Sequence, residues 1–195
     1  LKILYVRIKA NGSENTEIKN KNVINIINEV LPLAEKKGVT LLLETSGIYS
    51  DTLVLRELLD SFACDNLAAL WDMHSPYFYN DEQPETTIKN LGAYIRHVHI
   101  KDAERTENGI EFCLIGEGEM PIGEMMLGLR SVNYDGFISL EWNPEWCQEL
   151  DDMEIIFSQF VNYMKQYSDT SKNDNSLYYN RAHTGKYVWE KDRLI

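Results

Sequence analysis

Four side chains of the kinds that bind divalent cations each stand where a short apolar stretch of the sequence ends. They are Glu44, Asp72, His99 and Glu141. Successive members of this set are 28, 27 and 42 residues apart, and one strand–helix unit takes about 30 residues. Because parallel strands end on the same side of a sheet, we expect the four side chains to converge. Three carboxylates that lie close together repel one another unless a cation neutralises them.

Carboxylate oxygens combined with one imidazole nitrogen suit Mn²⁺, Mg²⁺, Co²⁺ or Zn²⁺ without distinguishing among these ions. The sequence therefore predicts one divalent metal ion held by these four residues. Glu44 and Glu141, which lie on separate strands, are also the candidate catalytic residues, because two carboxylates can remove and return a proton. The alternative interpretation is that each of the four residues is a polar group that simply closes its strand.

Further polar residues follow two of the candidate ligands. His74 lies two residues after Asp72, in a predicted loop, and Lys101 lies two residues after His99. We predict that His74 and Lys101 bind substrate; a solvated histidine and a solvated or ion-paired lysine are the alternatives. His97 shares a strand face with His99, since side chains alternate along a strand, and we expect it to be a hydrogen-bonded interior residue.

Short apolar stretches alternate with segments whose apolar residues recur at helical spacing, which is typical of an α/β protein with a parallel sheet. The five predicted strands cover residues 2–8, 39–43, 67–71, 95–99 and 136–140. This order fits a (β/α)8 barrel and an open, doubly wound sheet equally well. Glycines and a proline punctuate residues 109–122, which we interpret as a hairpin inserted before the last of the five strands.

Three residues mark helix boundaries or interruptions. Gly38 is typical of the residue that ends a helix, and Asp51 can cap the helix that follows the second strand. Pro32 lies inside the first helical pattern, so we expect a kink or a break there. Residues 168–195 differ from the rest: they predict a polar linker and then an aromatic and basic tail that packs against the domain or against a second subunit.

The composition excludes several classes of protein. The 195 residues carry a net charge of -12, which opposes nucleic-acid binding because phosphate contacts require clustered Lys and Arg. No apolar stretch approaches the roughly 20 residues of a membrane span, and no basic-then-apolar leader opens the chain. Cys64, Cys113 and Cys147 are odd in number and widely spaced, which favours free thiols over disulfides. We therefore expect a cytoplasmic protein without a nucleic-acid or membrane partner.

Five segments of the chain resemble the motifs of a known family. They are Leu43–Gly47, Trp71–Tyr77, His97–Asp102, Gly116–Ile122 and Tyr134–Trp142. In this order they resemble the sugar phosphate isomerase/epimerase family, whose fold is a xylose-isomerase-like TIM barrel, and together they cover about residues 1–165. The His-x-His-x-Lys-Asp stretch and the Gly-Glu-Gly stretch are moderately specific together and weak singly.

The resemblance implies that a metal ion is held by Glu44, Asp72, His99 and Glu141, in agreement with the spacing argument. A complete barrel has eight strands in about 250 residues. We therefore expect residues 1–167 to be the C-terminal portion of a (β/α)8 barrel, with three strands upstream of the chain. Many family members carry a substrate-binding histidine three residues after the aspartate; here that position is Ser75, and the histidine stands one residue earlier.

The implied function is a divalent-metal-dependent isomerase or epimerase of a sugar or sugar phosphate. The reaction would remove a proton beside a carbonyl and return it elsewhere, through an enediolate that the metal stabilises. A metal-assisted hydride shift is the alternative mechanism. A dehydratase or hydrolase on the same barrel and a degenerate, non-catalytic module are the alternative functions. Four histidines in the whole chain argue against the multi-zinc endonuclease branch. The predicted partner is a small sugar, and the sequence is compatible with a homo-oligomer.

Overall fold

The computed structural model describes residues 3–10, 16–147 and 152–168, which contain seven β-strands and six α-helices. The strands are β1 (Tyr5–Ile8), β2 (Thr40–Glu44), β3 (Leu67–Asp72), β4 (Ile95–Ile100), β5 (Asp102–Thr106), β6 (Gly109–Cys113) and β7 (Ile138–Leu140). The helices are α1 (Thr16–Lys37), α2 (Thr52–Phe62), α3 (His74–Asn80), α4 (Pro84–Leu91), α5 (Ile122–Ser131) and α6 (Met153–Ser168). Two short 3-10 turns, Gly47–Ser50 and Pro144–Trp146, follow β2 and β7.

Five strands form one parallel sheet in the order β1-β2-β3-β4-β7, and β5 pairs with β6 in a separate antiparallel hairpin. These five are the strands that the sequence predicts. The chain divides into two compact units between His97 and Val98, inside β4. The first unit contains β1 to β3 with α1 to α4. The second contains the hairpin, β7, α5 and α6.

In the first unit, β2 and β3 are buried on both faces. All six residues of β3 are buried, as is typical of a strand in a parallel sheet that helices cover. Leu42, Ala68 and Leu70 form an apolar cluster on one face of this sheet. Because side chains alternate along a strand, Glu44 and Asp72 project from the same face, at the carboxyl end.

The predicted helix boundaries at Gly38 and Asp51 are confirmed. Gly38 follows α1 with φ +62°, and Asp51 accepts a hydrogen bond from Leu53 N at the start of α2. Of the kink or break expected at Pro32, the break is absent, since α1 runs without interruption from residue 16 to 37. Pro32 cannot donate to the carbonyl of Asn28, but both residues are exposed. Water can therefore hydrate that carbonyl in place of the helical hydrogen bond.

In the second unit, the hairpin begins earlier than the sequence indicates. Strand β5 starts at Asp102 and pairs with β6 from Thr106 opposite Gly109 to Asp102 opposite Cys113. The chain then forms a loop over residues 114–121. The prediction missed β5 because its side chains are mostly charged and partly exposed, so that no apolar alternation marks it.

Helix α6 buries Ile156, Phe160 and Met164, which recur at helical spacing in the sequence. The helix ends at Ser168. The predicted linker and aromatic, basic tail beyond it, residues 169–195, lie outside the described residues. No helix in the described ranges combines the length and the apolar character that crossing a membrane requires.

Candidate functional site

Glu44 is the last residue of β2, and its side chain is completely buried. Lys9 Nζ lies 3.1 Å from Glu44 Oε2, and Arg7 Nη1 lies 3.5 Å from Glu44 Oε1. Ser46 Oγ also donates to Oε2, at 3.4 Å. The parallel register sets Arg7 opposite Leu42, so that the two cations and Glu44 share one face of the sheet. Each oxygen of this buried carboxylate is therefore paired with a positive charge.

Asp72, the last residue of β3, is also buried. Its Oδ1 accepts from His74 N at 3.0 Å, and its Oδ2 accepts from Ser75 Oγ at 2.9 Å. The Thr45 hydroxyl donates to the Asp72 carbonyl at 3.0 Å and accepts from the Asp72 N–H at 2.9 Å. These bonds fix the turn from β3 into α3. The Ser75 hydroxyl thus orients the Asp72 carboxylate.

His74 begins α3, so its placement in a loop was wrong. Pro76 stands in the first turn of this helix, where a proline leaves no hydrogen bond unmade. The His74 side chain is 1% exposed, which excludes a solvated histidine. Its ring stacks on Phe78 with centroids 4.5 Å apart and meets the edge of Tyr79 at 5.4 Å.

In the second unit, His99, Lys101 and Glu141 lie together. His99 Nδ1 is 3.9 Å from Glu141 Oε1, and Lys101 Nζ forms an ion pair with Glu141 Oε2. The register of β4 and β7 sets His99 opposite Ser139, so that His99 and Glu141 share one face. Glu141 directly follows β7, and its N–H donates to Ile100 O at 2.9 Å. Two candidate ligands and one predicted substrate-binding residue are therefore neighbours within this unit.

Lys101 has a side-chain exposure of only 7%, which is rare for lysine unless it is paired. Besides Glu141, it contacts the ring of Trp146, whose centroid lies 5.5 Å from Lys101 Nζ. Trp146 in turn stacks on Phe112 of β6, with centroids 4.5 Å apart. Sequence reasoning missed both aromatic residues. They belong to different segments, and no local pattern predicts that a hairpin and a 3-10 turn meet.

Asp102 begins β5 and is 1% exposed. Its Oδ1 accepts from the N–H groups of Ala103 and Met120 at 2.9 and 3.3 Å, and its Oδ2 accepts from those of Gly116 and Gly118 at 2.8 and 3.1 Å. Burial raises the pKa of the Asp102 carboxyl, and the four N–H groups act in the opposite direction. One carboxylate therefore fastens the 114–121 loop to the base of the hairpin.

The Gly-Glu-Gly stretch has a steric explanation in the same loop. A Cβ at Gly118 would lie 2.3 Å from Asp102 Oδ1 and 2.4 Å from the Ala103 carbonyl oxygen. Gly116 has φ +87°, and a Cβ there would lie 2.1 Å from the ring of Tyr163 on α6. Glycine is thus required at both positions for the loop to close over the Asp102 carboxylate.

Comparison with known proteins gives one family and several relatives. The family described as xylose isomerase-like TIM barrel matches residues 6–158. An uncharacterized protein of Methanocaldococcus jannaschii is 28% identical over 134 residues, and fructoselysine 3-epimerase of Escherichia coli O157:H7 is 28% identical over 120 residues. These alignments cover 65% and 59% of this chain but 44% and 42% of the relatives. The chain thus spans less than half the length of the curated relatives it matches.

Solved structures with a similar fold include several sugar epimerases. D-Allulose 3-epimerase from Methylomonas sp. aligns with a TM-score of 0.66 at 16% identity, covering 84% of this chain and 63% of that one. The IOLI protein with a binding zinc atom aligns with a TM-score of 0.64 at 19% identity, covering 83% and 62%. This likeness shows the fold. The five-stranded sheet is part of a (β/α)8 barrel, and the doubly wound alternative is wrong.

Proposed function

Since the chain belongs to the xylose isomerase-like TIM-barrel family, we propose that it forms part of a divalent-metal-dependent isomerase or epimerase of a sugar or sugar phosphate. The observation that carries this proposal is the position of the four candidate ligands, each of which stands at the carboxyl end of its strand. Active sites of barrel enzymes lie at these strand ends. The epimerases among the similar proteins support the choice of a sugar substrate.

The side chains suit a divalent ion, and we propose that Glu44, Asp72, His99 and Glu141 hold it. His99 Nδ1 and Glu141 Oε1 are 3.9 Å apart, close to the separation of about 3 to 3.5 Å between two ligands that bind one ion at about 2.1 Å. The buried Glu44 carboxylate already draws positive charge toward its strand end. Mn²⁺, Mg²⁺, Co²⁺ and Zn²⁺ are the candidate ions, and the zinc-binding relative supports such an ion.

In the proposed reaction, Glu44 and Glu141 move the proton. One carboxylate removes it beside the sugar carbonyl, and the other returns it to the neighbouring carbon or to the opposite face. When bound, the ion would draw electron density from the carbonyl oxygen and so stabilise the negative charge that proton removal creates. We further propose that Lys101 donates to a sugar oxygen or a phosphate and that His74, next to the turn that carries Asp72, contacts the substrate.

Solvent deuterium incorporation into a ketose tests this proposal when it is measured together with metal content in the full-length protein. Glutamine keeps an oxygen that can touch a cation but cannot accept a proton at neutral pH. Glu44→Gln and Glu141→Gln should therefore lower turnover by about 10² or more and lower metal content only in part. Asp72→Asn should act mainly through weaker metal binding and recover partly in excess Mn²⁺. Glu145→Gln, an exposed position near Glu141, is the matched control.

Three outcomes would change the proposal. If both glutamine variants exchange the proton at the parent rate, the two-carboxylate mechanism is wrong. If the parent converts sugar without incorporating deuterium, a hydride shift replaces proton transfer. If the parent binds no divalent ion, the chain belongs to a non-catalytic module.

A further inference from the structure

We propose that Arg7 and Lys9 act as counter-ions of Glu44 in the metal-free protein. The two cations compete with a divalent cation for the Glu44 carboxylate and so lower the affinity of the site for metal. This inference rests on the proposed function, because it takes Glu44 to be a metal ligand. It concerns Arg7, which lies in β1, and Lys9, which directly follows β1. Neither residue belongs to the set of candidate metal ligands.

The ion pairs occupy both oxygens of the carboxylate. Lys9 Nζ lies 3.1 Å from Oε2, and Arg7 Nη1 lies 3.5 Å from Oε1. The exposures of the partners differ sharply: 0% for the Glu44 side chain, 35% for Lys9 and 43% for Arg7. The carboxylate thus has no access to bulk water, whereas both cations do. A cation can leave the pair and become hydrated, but Glu44 cannot.

The backbone holds the two cations in place. Arg7 lies opposite Leu42 in the register of β1 and β2, which directs both cationic side chains to the face of Glu44. The segment after β1 is fixed by close packing: a Cβ on Gly47, which has φ +62°, would lie 2.9 Å from the Ala10 carbonyl oxygen. Lys9 therefore stands between a hydrogen-bonded strand and a closely packed backbone contact. The fold thus places both side chains within reach of Glu44.

Charge compensation explains why such counter-ions compete with a metal ion. A buried carboxylate without a partner is strongly destabilising, and the two cations supply the compensation in the metal-free protein. A divalent ion at Glu44 would supply the same compensation. Its charge would also repel an ammonium group that lies about 3 Å from the shared oxygen. Metal binding therefore has to displace at least Lys9, and the free energy of that displacement is subtracted from the metal affinity.

Mn²⁺ titration calorimetry on the full-length protein tests this inference without an activity assay. Lys9→Met should tighten Mn²⁺ binding at least about tenfold, the change that loss of one competing charged hydrogen bond of ordinary strength produces. Lys9→Arg keeps the charge and should bind Mn²⁺ with an affinity near that of the parent. Lys89→Met removes one positive charge from the exposed face of α4 in the same unit and controls for net charge.

Thermal unfolding provides a second measurement, in which Lys9→Met should weaken the metal-free protein although it strengthens metal binding. Without metal, Lys9→Met should unfold at a lower temperature than the parent, because Glu44 then loses one of its counter-ions. Saturating Mn²⁺ should reduce this difference, because the ion takes over the compensation. If Lys9→Met does not fold, Arg7→Met carries the same two measurements, since it removes the cation at the other oxygen.

The failure of this inference is distinguishable from the failure of the proposed function. If Glu44→Gln binds Mn²⁺ as tightly as the parent, Glu44 is not a ligand and the proposed metal site is wrong. If Glu44→Gln weakens binding but Lys9→Met binds no more tightly than Lys89→Met, the metal site stands and the counter-ion inference is overturned.

Discussion

Replacement of Asp102 by asparagine tests whether one buried carboxylate holds the loop at the base of the hairpin. The carboxylate accepts four backbone N–H groups, two at each oxygen, over 2.8 to 3.3 Å. Asparagine has nearly the same shape but only one acceptor oxygen. Whichever way its amide turns, two of the four N–H groups face an NH₂ group instead of an oxygen.

The size of the effect follows from which two bonds are lost. The bonds to Gly116 and Gly118 are partly exposed, whereas those to Ala103 and Met120 are buried. The amide should therefore turn its NH₂ toward the two glycines, where water can replace part of the loss. Two charged hydrogen bonds at about 1.5 kcal/mol each give about 3 kcal/mol. Asparagine is neutral, so the desolvation cost of burying a charge is removed, and this offsets part of the loss. We therefore expect Asp102→Asn to lower the free energy of unfolding by about 2 kcal/mol.

Urea unfolding followed by circular dichroism measures this change, and hydrogen exchange locates it. Asp102→Asn should speed amide exchange at Gly116 and Gly118. Asp102→Ala, which loses all four bonds, should be less stable than Asp102→Asn by a further 1 kcal/mol or more. Glu104→Gln, an exposed acidic position on the same strand, should change the stability by less than about 0.5 kcal/mol. If Asp102→Asn is as stable as this control, the carboxylate does not hold the loop.

Two further predictions concern the same unit and one the proposed chemistry. Gly118→Ala should lower the free energy of unfolding by at least about 2 kcal/mol through overpacking. Gly38→Ala should lower it by only about 1 kcal/mol, the cost of left-handed strain, because a Cβ at Gly38 meets nothing within 4 Å. An equal cost at both positions would contradict the steric argument. Burial raises the pKa of Cys113 to about 12, so iodoacetamide at pH 8.5 should alkylate this thiol at least about 100-fold more slowly in the folded protein than in urea. Because the pKa of this thiol in the folded state lies above its unfolded value of about 8.5, the stability that the protonated thiol contributes is lost as the pH rises from about 9 toward 12. Peptide mass spectrometry measures the labelling, and equal labelling of the folded and unfolded states would refute the burial argument. Glu44→Gln and Glu141→Gln should suppress deuterium exchange by about 10² while retaining part of the metal, and exchange at the parent rate would refute the proton-transfer assignment.

The parallel strands were predictable because burial leaves a strong mark on their sequences. A strand such as β3, in which all six residues are buried, has to be apolar along its length. The first ionisable residue then marks its carboxyl end, as Asp72 does. The same reasoning located Glu44, which follows three buried leucines, and Glu141, which follows the short strand β7.

The parts that were missed depend on contacts between distant segments. Strand β5 is stabilised by its pairing with β6 and by the bonds to Asp102, and neither leaves an apolar pattern. Arg7 and Lys9 are two residues apart and so point to the same face of the strand. Their pairing with Glu44 depends on the register between β1 and β2, which cannot be deduced from a single sequence. The contact of Trp146 with Lys101 likewise depends on how the turn after β7 packs.

The β5–β6 hairpin has a consequence for how this protein can change during evolution. All of its ladder pairs run between its own two strands, and its exposed tip consists of a two-residue turn at residues 107–108. Insertions at that tip would lengthen the excursion without altering any pairing of the parallel sheet, as is usual for exposed loop tips. The base of the hairpin is fixed by the Asp102 carboxylate, next to Lys101, which we propose binds the substrate. Natural variants and engineered peptide grafts can therefore be accommodated at residues 107–108 while the groups beside Glu141 keep their positions.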